Sequence, residues 1–131
     1  MIGLDSNVVV RYLVQDDPVQ SRRATEVIER RLSTQNPGFI SVVTIAETVW
    51  VLDRAYRFSD ENIVAAIERT LQTDVLVVER EQEVFAAMTA LKEARGSFAD
   101  ALIGGLGARA GCSATLTFDR RAARLPDFEL A

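Results

Sequence analysis

Residues 1–14 read MIGLDSNVVVRYLV: a short apolar run, an aspartate, a serine, and a second apolar run carrying one arginine. MIGL is too short for a helix and is uninterrupted by charge, the pattern of a buried strand. Asp5 and Ser6 are both residue types that cap helices, so VVVRYLV is expected to continue as a helix. A strand that ends on an acid and passes straight into a helix is the opening of a βα unit, and the rest of the chain repeats that grammar.

Asp17-Pro18 starts a second helix, with an acid at its start and proline at its first position. Asn36-Pro37-Gly38 is a turn, and Phe39-Ile40-Ser41 a second short strand. Residues 43–56 (VTIAETVWVLDRAY) are strongly helical, and Ser59-Asp60-Glu61 caps a further helix to about Gln72. Residues 75–78 (VLVV) read as a fully buried strand. Helices follow over 81–95 and from Ser97 to Gly111, then a strand over 114–118 (ATLTF) and a short helical turn that Leu125-Pro126 ends. Four short apolar strands separated by helical segments imply an α/β fold, with a parallel sheet covered on both faces.

The length, 131 residues, fits a single domain over 1–131. With 48% hydrophobic and 26% charged residues, the chain has the composition of a folded domain. No apolar run approaches the roughly 18 residues of a membrane span, and MIGLDSN has no signal-peptide pattern. Cys112 is the one cysteine, which excludes an internal disulfide and a structural zinc cluster; it is expected as a small buried hydrophobe. These features together suggest the cytoplasm. There is no histidine, so the commonest general base and every Ser-His triad are excluded. The basic residues are 14 arginines and Lys92, and the net charge is −4. Nucleic-acid binding would therefore need a local arginine patch or bridging cations.

Among the 19 acids, four sit in apolar company. Asp5 follows MIGL and Asp119 follows ATLTF; both fall at the C-terminal ends of expected strands, the edge where open parallel sheets build their sites. Glu47 has Val43, Thr44, Trp50 and Val51 at its helical i±3 and i±4 positions, and Asp100 precedes Ile103 and Gly104 in the least polar helix. Two like charges about 4 Å apart repel by roughly 4 kcal/mol at an effective dielectric near 20. A hard divalent cation relieves that repulsion, and oxygen donors without His or Cys favour Mg²⁺ or Mn²⁺. Each acid also has a plain structural reading. Asp5 fits a helix N-cap, Asp100 a capping box with Ser97, Asp119 a turn, and Glu47 a buried pair with an arginine.

The segments IGLDSN, TIAETVWVL, SFADALIGGLGARAGC and TFDRRAARL resemble, in order and spacing, the PIN-domain family, most closely the VapC-like toxins of bacterial toxin–antitoxin pairs. The resemblance implies a three-layer α/β/α sandwich with a parallel sheet of four to five strands. It implies a metal-dependent endoribonuclease that hydrolyses RNA phosphodiesters with Mg²⁺ or Mn²⁺, forms a homodimer and is held by a cognate antitoxin. It places the catalytic and metal-binding acids on Asp5, Glu47, Asp100 and Asp119, with Ser6, Asn7 and Thr117 near the substrate. Asp5 and Asp100 are expected as direct ligands, and Arg11, Arg95, Arg120 and Arg121 as phosphate contacts. The helix of Trp50 is expected to supply part of an antitoxin groove, with Trp50 itself in the core. Two other readings are a phospho-acceptor receiver domain and a catalytically silent metal-binding module. The first would need a second acid beside Asp5 and a lysine after a late strand, and neither is present.

Overall fold

A computed structural model describes all residues 1–131, which cluster into two compact units, Met1–Glu79 and Arg80–Ala131. In the first unit, β1 (Ile2–Gly3), β2 (Gly38–Ile40) and β3 (Leu76–Val78) form a parallel sheet in the order β1-β2-β3. Gly3 lies opposite Phe39, and Ile40 opposite Val78. Helices α1 (Ser6–Val14) and α2 (Pro18–Glu26), with a π-helical turn at Val27–Arg31, connect β1 to β2. Helices α3 (Val42–Arg54) and α4 (Asp60–Gln72) connect β2 to β3.

Local chemistry sets these boundaries. Asp17 Oδ1 accepts from the amides of Val19 and Gln20, with Pro18 at the first helical position. Ser41, Ser59 and the Ser97 of the second unit each accept an amide three residues on, at 3.1, 3.2 and 3.1 Å. Each such cap contributes about 1 kcal/mol. Helix α1 ends on Gln15 in the left-handed region (φ 59°). The core of the unit is built from Leu4, Val9, Val10, Ile40, Ile45, Leu52, Ile63, Ile67 and Val78, all buried. Full burial of one such side chain is worth roughly 1.5–3 kcal/mol.

The second unit contains α5 (Glu81–Lys92), α6 (Phe98–Arg109), β4 (Thr115–Thr117), a 3₁₀ turn (Ala122–Arg124) and β5 (Phe128–Leu130). Strands β4 and β5 pair in parallel, with Thr115 opposite Phe128. Val84, Ala87, Met88, Leu91, Phe98, Leu102 and Leu125 are buried. Gly104 lets α6 come close to the chain around β5: a Cβ there would lie 2.6 Å from the Phe128 ring and 3.1 Å from Asp127 Cβ.

The expected α/β class and parallel direction hold. Strand number reaches five because β5, absent from the sequence reading, is present; hydrogen bonding groups the strands as three and two. Four burial expectations are corrected: in β1 Ile2 is half-buried and Gly3 exposed, and in β3 Leu76 is half-buried and Val77 42% exposed, so neither run forms a fully buried strand, and two single residues differ as well. Cys112 is exposed, in the turn that follows α6, where the chain has left the helix but not yet entered β4. Trp50 is 60% exposed, because the side of α3 that packs inward carries Ile45, Thr48 and Leu52. No helix is long and apolar enough to cross a membrane.

Candidate metal and nuclease site

The first unit brings two of the four expected acids to one serine, Ser6. The β1–β2 ladder reaches Leu4, whose amide donates to Phe39 O at 2.9 Å, and the chain then turns into α1 at Asp5. Asp5 is extended (φ −82°, ψ 160°), and its Oδ1 accepts from the Ser6 amide at 2.7 Å. Ser6 is buried. Its hydroxyl donates to Glu47 Oε1, in the second turn of α3, and lies 3.5 Å from Asp5 Oδ1. The packing of α1 against α3 brings these residues together across 41 positions of sequence. Because β1 and β2 are parallel, Asp5 and the start of α3 sit at the same sheet edge.

What remains open at this pair matters more than what is bonded. Asp5 Oδ2 and Glu47 Oε2 make no hydrogen bond, and neither residue is in an ion pair. Both side chains are exposed. The reading of Glu47 as a buried partner of an arginine is thereby excluded, and Asp5 is an N-cap that keeps one oxygen free. Two carboxylates converging on Ser6, one on its amide and one on its hydroxyl, without a basic counter-charge, are a donor set that fits a hard divalent cation. Asn7 is exposed in the first turn of α1.

In the second unit the other two acids differ: the Asp100 side chain is unbonded and that of Asp119 holds a turn. The Asp100 amide donates to Ser97 Oγ at 3.1 Å, but the reciprocal bond of a capping box does not form, and the half-buried Asp100 carboxylate has no hydrogen-bond partner. Asp119 Oδ1 accepts from the amides of Arg121 (2.8 Å) and Ala122 (3.4 Å), while the Asp119 amide donates to Thr117 Oγ1 at 3.0 Å. Asp119 is thus the turn residue that sequence allowed, and Thr117 holds its backbone. Nowhere in the chain do three or more acidic or thiol side chains gather as a metal-holding group.

The arginines separate clearly. Arg11, expected at a phosphate, is committed internally. Its Nε donates to Gln20 Oε1 (2.9 Å), and its Nη1 donates to Asp16 (3.1 Å) and the Tyr56 hydroxyl (2.8 Å). Tyr56 in turn donates to Asp16 Oδ2 at 2.8 Å. The hydrogen bond from Tyr56, ahead of the contacts from Arg11, holds the Asp16 carboxyl below its usual range. The same bond, then partial burial, pushes the Tyr56 phenol up. Partial desolvation opposes the charge on Arg11, but Tyr56 and Asp16 outweigh it and raise its pKa. No sequence motif marks this network, since Asp16 and Tyr56 are 40 residues apart. Arg95 pairs loosely with Glu93 at 3.5 Å and borders a groove of about 420 Å³ with Phe85, Thr89, Leu125 and Phe128; none of the four expected acids lines it. Arg120 and Arg121 are exposed and in no ion pair.

No curated protein matches the chain significantly. Among models of known families, the one described as PIN domain matches residues 2–127 of the 131.

Proposed function

The chain belongs to the PIN-domain family, whose members are generally metal-dependent nucleases of α/β/α architecture, and from that premise we propose that it is an Mg²⁺- or Mn²⁺-dependent endoribonuclease and the toxin of a toxin–antitoxin pair. The observation that carries the reading is the Asp5–Ser6–Glu47 contact: two carboxylates, each with a free oxygen, held on Ser6 at the end of a parallel strand, Asp5 by the amide and Glu47 by the buried hydroxyl. Asp5 and Glu47 would hold the ion, and Ser6 fixes the rotamer of Glu47. Asp100, in the second unit, carries a carboxylate free of other hydrogen bonds and available to an ion. Asp119 has a second oxygen, Oδ2, beyond the one that caps its turn. When bound, the ion lowers the pKa of a water and offsets charge on the scissile phosphate, the work an imidazole base would otherwise share. Asn7 and Thr117 supply hydrogen bonds to substrate or to water. The family match spans most of the chain, which supports a single domain over 1–131.

Support for a covering partner comes from α3. Val43, Glu47 and Trp50 recur at i, i+4 and i+7, so one helix face presents an acid between two exposed apolar side chains, 75% and 60% accessible. Such a face suits a cognate antitoxin segment that covers the site, and a homodimer and a cytoplasmic location complete the proposal. RNA cleavage decides the matter. Purified protein should cut single-stranded RNA with Mn²⁺ or Mg²⁺, stop in EDTA, and lose activity in Asp5→Asn and Asp100→Asn. No cleavage with either ion, or unchanged activity in both variants, removes the nuclease reading and favours the silent metal-binding module.

A further inference from the structure

The acidic chain needs a local basic surface to hold RNA, and the turn that follows β4 provides one. Arg120, Arg121 and Arg124 lie within five residues, are all exposed, and take part in none of the chain's ion pairs. By contrast Arg11, Arg54, Arg95 and Arg109 each have a carboxylate partner. The arginines of α2 and the π-helical turn lie among Glu26 and Glu29, the pattern of an ordinary solvated face.

The scaffold beneath the three arginines is well fixed. Asp119 Oδ1 holds the amides of Arg121 and Ala122, Thr117 holds the amide of Asp119, and the Ala123 amide donates to Asp119 O at 3.0 Å. Ala122 and Leu125 are buried and pin the turn to its unit. Backbone and apolar anchors therefore present the guanidinium groups outward, with no side-chain acceptor on the protein to compete for them. An arginine fork left open on a rigid turn is suited to bidentate contact with phosphate.

We propose that the Arg120–Arg121–Arg124 turn is the RNA-backbone contact of this protein, with Asp119 as the residue that positions it. The proposal rests on RNA being the substrate, and its test is kept separate from turnover. Binding of a fluorescent single-stranded RNA to the full chain is measured in EDTA over a series of salt concentrations. Each phosphate contact to a single strand contributes about 0.7 to the slope of log K against log salt. The Arg120→Ala/Arg121→Ala/Arg124→Ala variant should lower the slope by about 2.1, three contacts at that value, and weaken binding on the order of tenfold or more. The corresponding lysine variant, which keeps point charge, should retain most of the slope. Arg22→Ala/Arg30→Ala/Arg31→Ala, which removes equal charge elsewhere, should leave it unchanged. A slope equal to wild type in the first variant, an equal drop in the control, or no RNA binding by the wild type overturns the proposal. Arginine-dependent binding without metal-dependent cleavage would instead keep this surface and remove the nuclease reading.

Discussion

Replacing Gly104 by alanine tests the packing of α6 more sharply than any change in the hydrophobic core. Gly104 and Gly105 are neighbours in the interior of the same helix, so alanine gains the same helix propensity at both, about 1 kcal/mol. Their surroundings differ. A Cβ at Gly105 meets nothing nearer than Glu83 at 3.9 Å, ordinary contact. A Cβ at Gly104 would lie 2.6 Å from Phe128 Cε2 and 3.1 Å from Asp127 Cβ, so the ring and the backbone behind it must move. Overpacking of that kind costs about 1–3 kcal/mol. Gly105→Ala should therefore stabilise by up to about 1 kcal/mol, whereas Gly104→Ala should be neutral to destabilising by about 2 kcal/mol. Urea unfolding of the two variants side by side reads the difference as a shift in midpoint at constant m-value. Equal midpoints, or a Gly104→Ala variant above Gly105→Ala, would refute the close approach of α6 to β5.

Three further outcomes follow from single contacts. Thr48 Oγ1 is buried without a partner, so Thr48→Val should raise stability by about 1 kcal/mol, and a lower midpoint would show that the hydroxyl is satisfied. Ser6→Ala should leave the fold intact but release Glu47, lowering metal affinity and kcat together; a change in KM alone would contradict this positioning role. The Tyr56 phenol is raised above 10.0, so the stability of its bond is present below that pH and lost as pH rises through the raised value. Asp16 is lowered below 3.8, so its share is present above that pH and lost as pH falls through the lowered value. In a Tyr12→Phe background, where Tyr56 is the one remaining tyrosine, ultraviolet titration should show the raised midpoint, and Asp16→Asn should bring it down.

Local signals carried most of the fold. Asp5, Asp17, Ser59 and Ser97 each cap the helix that their type and position predict, since capping is decided within a few residues, whereas Ser41, read as the end of a strand, turns out to be the cap of α3. Strand β5 was not legible: FEL is three residues long, follows Pro126-Asp127, and gains its conformation from pairing with β4 rather than from its own pattern. The exposure of Trp50 and of Cys112 is equally illegible in local sequence. Hydrophobicity marks Trp50 and Cys112 as core types, but which side of α3 faces inward depends on partners far along the chain. Glu47 stood out by its apolar neighbours, yet its contact with Ser6 depends on α1 packing against α3. Likewise Arg11 looked available until Tyr56 arrived from 45 residues away.

The central claim is that Asp5 and Glu47, joined through Ser6, bind a divalent cation. Thermal unfolding across a Mn²⁺ titration tests it without reliance on any substrate. Stabilisation should approach about 2.7 kcal/mol when the ion is at a hundredfold excess over its dissociation constant. The effect should be largely lost in Asp5→Asn and in Glu47→Gln. An unfolding midpoint indifferent to Mn²⁺ in the wild type, or raised equally in the two variants, would contradict the account.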